Sequence, residues 1–207
     1  MSQPGRPQKL LIANRGEIAV RILKTARKLN IPTLAIYTQP GITSPHVSLA
    51  DEAIPLYVND SNPDNGTSNT RGYTDAEEIL RVCIAHDVTL VHPGYGFLSE
   101  NAEFARAVQE KGMTWVGPRP DTVRYMGLKH EARKIAENAG VPIVPGSDGS
   151  LLQDVEEAVR VASMIGYPVL LKATAGGGGM GMVVCNGEED VKSKFDTTKD
   201  RAMVSRF

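Results

Sequence analysis

Aromatic residues are scarce in this 207-residue sequence, at 5%, which counts against the stacking platforms on which single-stranded nucleic acids lie. An excess charge of one sign is missing too: 23 Lys and Arg against 24 Asp and Glu leave a formal net charge of −1. Such a balance gives neither a polyanion nor an anionic membrane a basic footprint, so any anion site must be local. No stretch approaches the roughly 20 apolar residues that cross a bilayer, and the polar start from Met1 to Lys9 has no apolar run of signal-peptide length. The expectation is a cytoplasmic protein without nucleic-acid or membrane partners. Cys83 and Cys185 stand far apart among aliphatic neighbours, without the spacing of a zinc or redox site, and read as buried, reduced thiols. His46, His86, His92 and His130 lack metal-ligand spacing, and no Ser, His and Asp arrangement is legible.

What is present describes a folded chain: 41% hydrophobic and 23% charged residues, enough for one large domain or one domain plus a smaller one. From Lys9 to about Gly127, short apolar runs alternate with helical patterns, as in a parallel sheet flanked by helices. Leu10 to Ala13 reads as a strand, Ile18, Ile22, Ala26 and Leu29 as one helix face, and Thr33 to Tyr37 as a second strand beyond Pro32. Asn59 to Gly72, crowded with Asn, Asp, Ser, Thr, Gly and Pro, reads as a polar surface loop. Thr74 and Glu77 form a capping box for the next helix, Val88 to Val91 a strand, Ser99 or Asn101 a cap, and Thr114 to Val116 another strand. After Gly127 the pattern changes to a small α+β region. It holds a charged helix from Lys129 to Ala139, a short Val141 to Val144 segment, and a helix capped by Asp154 with Glu157 that stops at Gly166. Strands then run from Tyr167 to Ala173 and from Met182 to Cys185, and the glycines between should join them.

That glycine tract, Gly176, Gly177, Gly178, Gly179 and Gly181, costs conformational entropy when ordered, which points to close backbone approach to a ligand. Converging backbone N–H groups suit phosphate oxygens. The tract is not a Walker loop, since no Gly-Lys-Ser/Thr and no helix follow, and the first βα turn, with Gly16 alone, fails the dinucleotide fingerprint. A flexible hairpin tip is the plainer reading. Lys172 stands among Val169, Leu170 and Leu171, which predicts substantial burial and therefore an anion beside it, although a snorkelling lysine at a strand edge is the alternative. Lys129 opens a helix beside His130, Arg133 and Lys134, a sign mismatch with the helix dipole that a bound anion would repair and that a solvated basic face would also explain. Glu100 and Asn101 follow a strand end where open sheets bind ligands, but capping explains them more simply.

Four stretches in order carry a resemblance: Ile12 to Ala19, His92 to Asn101, Val141-Pro142 with Pro145-Gly146-Ser147, and the glycine tract. Together they resemble the biotin carboxylase family over residues 9 to 195. Ala175 and Met180 depart from the usual Gly and Arg; with Gly127 to Arg133 they look most like the urea carboxylase branch, including the carboxylase part of urea amidolyases. The resemblance implies an α/β fold: a Rossmann-like (PreATP-grasp) parallel-sheet domain at 9–127, then a partial ATP-grasp α+β lid domain at 128–207. It further implies ATP, Mg2+, bicarbonate and biotin on a separate carrier domain, with the carboxyl group passed to urea. By position, Lys129 and Lys172 would contact nucleotide phosphates, the glycines would cover them, and Met182 would face the adenine. The family's acidic magnesium ligands lie beyond Phe207, so the expectation is an N-terminal part, inactive alone, with no catalytic or metal-ligating residue of its own. A non-catalytic Rossmann-like protein acting by association, self-association included, and the front of an acyl-CoA- or pyruvate-type carboxylase are the alternatives.

Overall fold

A computed structural model describes residues 7–57, 71–147, 152–172 and 182–204. The chain divides into two compact units, Met1–Arg124 and Tyr125–Phe207. The first is built on a five-stranded parallel sheet in the order β3-β2-β1-β4-β5, with β1 (Leu10–Ile12) at its centre. Helix α1 (Gly16–Lys28) returns the chain to β2 (Thr33–Tyr37), and a short α2 (Pro45–Leu49) leads to the edge strand β3 (Glu52–Pro55). After α3 (Ala76–Ala85) the chain crosses to β4 (Leu90–His92) on the other side of β1, and α4 (Ala102–Glu110) leads to β5 (Thr114–Trp115).

Strand alternation fills both faces of this sheet. Leu11, Ala13, Leu34 and Ile36 point into one core with Tyr73, Ile79, Val82, Phe104 and Trp115, while Leu10 and Ile12 point into another with Ala19, Ile22 and Leu23 of α1. Burying both faces is why these strands read as continuous apolar runs rather than alternating ones. Asp51 ties the start of β2 to the approach of β3: its Oδ2 accepts from the Thr33 backbone N at 2.8 Å and from Thr33 Oγ1 at 2.6 Å.

Two local expectations shift. Asp75, not Thr74, caps α3, because Asp75 has the extended backbone a cap requires and its Oδ1 accepts from Glu78 N at 2.9 Å, whereas Thr74 closes a 3-10 turn, Arg71–Thr74. The fourth strand begins at Leu90 rather than Val88, since Val88 N bonds back to Cys83 O of α3.

The second unit has helices α6 (Lys129–Asn138), α7 (Val155–Ile165) and α8 (Glu188–Val204), with a hairpin of β6 (Val169–Lys172) and β7 (Met182–Cys185). Helix α5 (Pro120–Gly127) spans the boundary between the units. Asp154 caps α7 by accepting from Glu157 N at 2.8 Å, and Gly166, at φ +93°, ends it in a conformation open to glycine. The core here is Ala158, Ala162, Cys185, Val191 and Phe195. No described helix is long and apolar enough to cross a membrane.

Candidate functional site

The hairpin places two of the singled-out residues together. β6 and β7 pair antiparallel with Lys172 opposite Met182 and Leu170 opposite Val184. Pleating turns Val169, Leu171 and Val183 onto the core and leaves Leu170, Lys172, Met182 and Val184 on the other face, which is open: Leu170 is 46%, Met182 43% and Val184 52% exposed. Lys172 is exposed on this face, contrary to the burial expected from its apolar neighbours. Among the described residues the sheet has two strands and is covered on one side, so an apolar run does not mean burial on both. An exposed Lys172 ammonium is solvated and demands no anion beside it. What Lys172 does have is a place beside exposed apolar groups, at the end of the strand that enters the glycine tract. Gly176, Gly177, Gly178, Gly179 and Gly181 lie outside the described residues.

Lys129 comes from a separate element of the same unit, as the exposed first residue of α6. Leu128 at the cap position offers no side-chain acceptor. Beside it, His130 Nδ1 is buried without a hydrogen-bond partner, and its Nε2 lies 3.5 Å from the Glu131 carboxylate. Arg133, one turn on, donates from Nε to Ser147 O at 3.1 Å, and its guanidinium lies so close to Gly146 that a Cβ there would meet it at 3.2 Å. The Pro145-Gly146-Ser147 turn is thus pinned to α6, a role for Arg133 that a basic cluster in sequence does not reveal.

The first unit gathers a second set at the carboxyl edge of its sheet. Asn14, just after β1, donates from Nδ2 to Pro93 O at 2.7 Å and Tyr95 O at 2.8 Å, joining two loops 79 and 81 residues apart in sequence. His92 Nδ1 accepts from Gly94 N at 3.0 Å, and burial holds its pKa below the usual histidine value. The Arg15 guanidinium carbon lies 5.9 Å from the Tyr73 ring centroid and 6.0 Å from that of Phe97. Tyr95 donates its phenolic hydrogen to Glu17 Oε1, which pushes the Tyr95 pKa up. His46 is buried, with Nε2 against Ile36 O at 3.3 Å and Nδ1 unpartnered; desolvation lowers its pKa. Asn14, Arg15 and Tyr95 stand in the sequence only as members of longer motifs, with no role of their own, because their signal lies in contacts across the sheet. Asn101 is a cap, its Oδ1 accepting from Phe104 N at 2.9 Å. Cys83 and Cys185 are free and buried, and burial pushes the Cys83 thiol up to about 12. Among the described residues no cluster of His, Cys, Asp and Glu has metal-ligand geometry.

Residues 6–123 match the family described as biotin carboxylase, N-terminal domain, and residues 129–206 match the carbamoyl-phosphate synthase L chain, ATP binding domain. A putative urea carboxylase of Emericella nidulans is 53% identical over 192 residues, which are 93% of this chain and 15% of that protein. Urea amidolyase of Saccharomyces cerevisiae is 48% identical over 92% of this chain and 10% of its own length. Among solved structures, the biotin carboxylase domain dimer of Hydrogenobacter thermophilus 2-oxoglutarate carboxylase, in complex with MgADP, ADP and bicarbonate, superposes with a TM-score of 0.87 at 43% identity. That superposition covers 96% of this chain and 42% of the other. The chain therefore spans less than half of each of these relatives, and within that span the parallel sheet, the hairpin and the matched sequence agree: it belongs to the biotin carboxylase family.

Proposed function

We propose that this chain is the nucleotide-proximal N-terminal part of a biotin-dependent urea carboxylase, with a Rossmann-like domain at 9–127 and part of an ATP-grasp domain at 128–207. The observation that carries the reading is the pairing of Lys172 with Met182 on the open face of a hairpin whose strands flank the glycine tract. A cation beside exposed apolar side chains is the donor set that a nucleotide needs: charge for the phosphates and a flat apolar seat for the base. Lys172 and Lys129 neutralise phosphate oxygens; the backbone N–H groups of Gly176, Gly177, Gly178, Gly179 and Gly181 cover the phosphates; Met182 packs against the adenine. When bound, MgATP supplies the phosphoryl group that activates bicarbonate, and biotin on a carrier domain takes up the carboxyl group. The residues of this chain act by positioning and charge neutralisation rather than as nucleophiles or bases. Urea as the final acceptor is supported by the 53% identity to the putative urea carboxylase. The 207-residue chain alone binds part of the nucleotide and does not complete carboxylation, it works in the cytoplasm, and the longer protein is a homo-oligomer.

The test is a polypeptide completed with the C-terminal portion of the fungal relative. It should release ADP only with bicarbonate and biotin carrier present, and urea should accept the carboxyl group. Lys172→Met and Lys129→Met should each weaken MgATP binding about tenfold or more, since a charge-assisted hydrogen bond contributes roughly 1.5–3 kcal/mol. Unchanged affinity in both variants overturns the site. Carboxylation of pyruvate or an acyl thioester in place of urea reassigns the acceptor while leaving the site standing.

A further inference from the structure

The loops at the carboxyl edge of the five-stranded sheet are held more tightly than a connection requires. The chain leaves β1 toward β2 on one side, while β4 lies on the other. Their diverging carboxyl ends form the switch point at which open parallel sheets commonly admit a ligand. Here the Asn14 side chain, 2% exposed, occupies that position. Its two donor bonds go to Pro93 O and Tyr95 O, and its Oδ1 accepts from Arg15 N at 2.9 Å.

The partner loop is shaped around this amide. Gly94 sits at φ +66°, and a Cβ on it would lie 2.7 Å from Asn14 Nδ2, so neither the conformation nor the space admits a side chain. Gly96 follows at φ +67°, and Phe97 adopts φ +43°, a left-handed backbone that a bulky residue rarely takes. Phe97 is held there by its ring, stacked on Tyr73 at 5.2 Å under the Arg15 guanidinium. Strain of this sort persists only where the surroundings over-determine it. The group at the tip of this loop is Tyr95, 62% exposed yet fixed through its hydroxyl to Glu17 on α1.

We propose that Asn14 is a positioning residue: its amide closes the switch point and clasps loop 93–97 so that Tyr95 stands at the sheet's carboxyl rim with its phenol on Glu17. The proposal is independent of the nucleotide reading.

The test uses the 207-residue chain with carbon-13 labels on the tyrosine rings, Tyr95 being assigned by the signal lost in Tyr95→Phe. In the parent, Tyr95 should titrate above the ordinary value of 10.0, because the Glu17 carboxylate accepts its proton. Asn14→Ala removes the clasp, and Gly94→Ala pushes it apart from the other side. Each should return the Tyr95 midpoint toward the ordinary value and speed backbone amide exchange at 94–97 at least tenfold. Val108→Ala, a core change elsewhere in the unit, should lower stability and leave the midpoint where it was. A parental midpoint in both clasp variants overturns the proposal, as does an equal shift in Val108→Ala. If both clasp variants fail to fold, the parent decides: slow exchange of the Asn14 side-chain amide protons supports the clasp, and exchange at the rate of a free amide overturns it.

Discussion

The two units solve the same problem, burying a sheet, to different degrees. In Met1–Arg124 a five-stranded sheet is covered on both faces, and Leu11, Ile12, Leu34, Ile36 and Val91 are fully out of water. In Tyr125–Phe207 a two-stranded sheet is covered on one face, and Leu170, Met182 and Val184 remain in solvent. The difference is one of layers: a sheet covered on both faces excludes water from its strands, whereas one covered on a single face leaves half of its apolar residues exposed.

The largest test of this contrast is a pair of aromatic deletions. Phe104→Ala, which removes a ring packed edge-on to Trp115 at 5.6 Å, should cost about 3–5 kcal/mol, read by Trp115 fluorescence during urea unfolding. Phe195→Ala should fall near the low end of that range, about 3 kcal/mol, because its small core can collapse around the gap. A larger loss at Phe195 would break the contrast. Next comes the hairpin itself. Leu171→Asp, on the covered face, should cost about 2 kcal/mol or more, whereas Leu170→Asp, one residue away, should stay within about 0.5 kcal/mol. Similar losses in circular-dichroism melts would mean that the open face is not open.

Helix caps sharpen the comparison by being indifferent to it. Asn101→Ala in the first unit and Asp154→Ala in the second should each lose about 1 kcal/mol, since each frees one backbone donor of a first turn. The smallest effect is a pH slope confined to the first unit. Burial holds His46 and His92 below their ordinary value of 6.5, so as pH falls through that value the unfolded chain takes up protons that the folded chain refuses. The Trp115-reported stability should therefore decline from pH 6.5 downward until the folded imidazoles protonate. His46→Gln should flatten that slope, and an unaltered slope would remove His46 from the account.

Much of this was legible in residues. The first strand, helix α1, β2, the Asn101 and Asp154 caps and the antiparallel hairpin follow from periodicity and capping chemistry. Strand β3, which begins with Glu52 and ends with Pro55, and helix α2, which opens with Pro45, were hidden because neither has a periodic apolar face. Helix α8 was missed for a related reason: its inward side is carried by Val191, Phe195 and a threonine, Thr198, too thin a stripe among charges. The site was partly legible. Lys172 could be singled out by its place beside the glycines and Met182 through the family resemblance, but not their shared exposure, which depends on how many strands the sheet has. The role of Asn14 within its motif was not legible, because its partners lie 79 and 81 residues away.

Pairing of Lys172 with Met182 across the hairpin also limits what sequence drift can do there. Since neighbouring residues in a strand face opposite ways, deleting or inserting one residue within 169–172 would turn the ladder over, sending the ammonium toward Phe195 and a leucine into water. Length changes in these strands are therefore tolerable in pairs and ruinous singly.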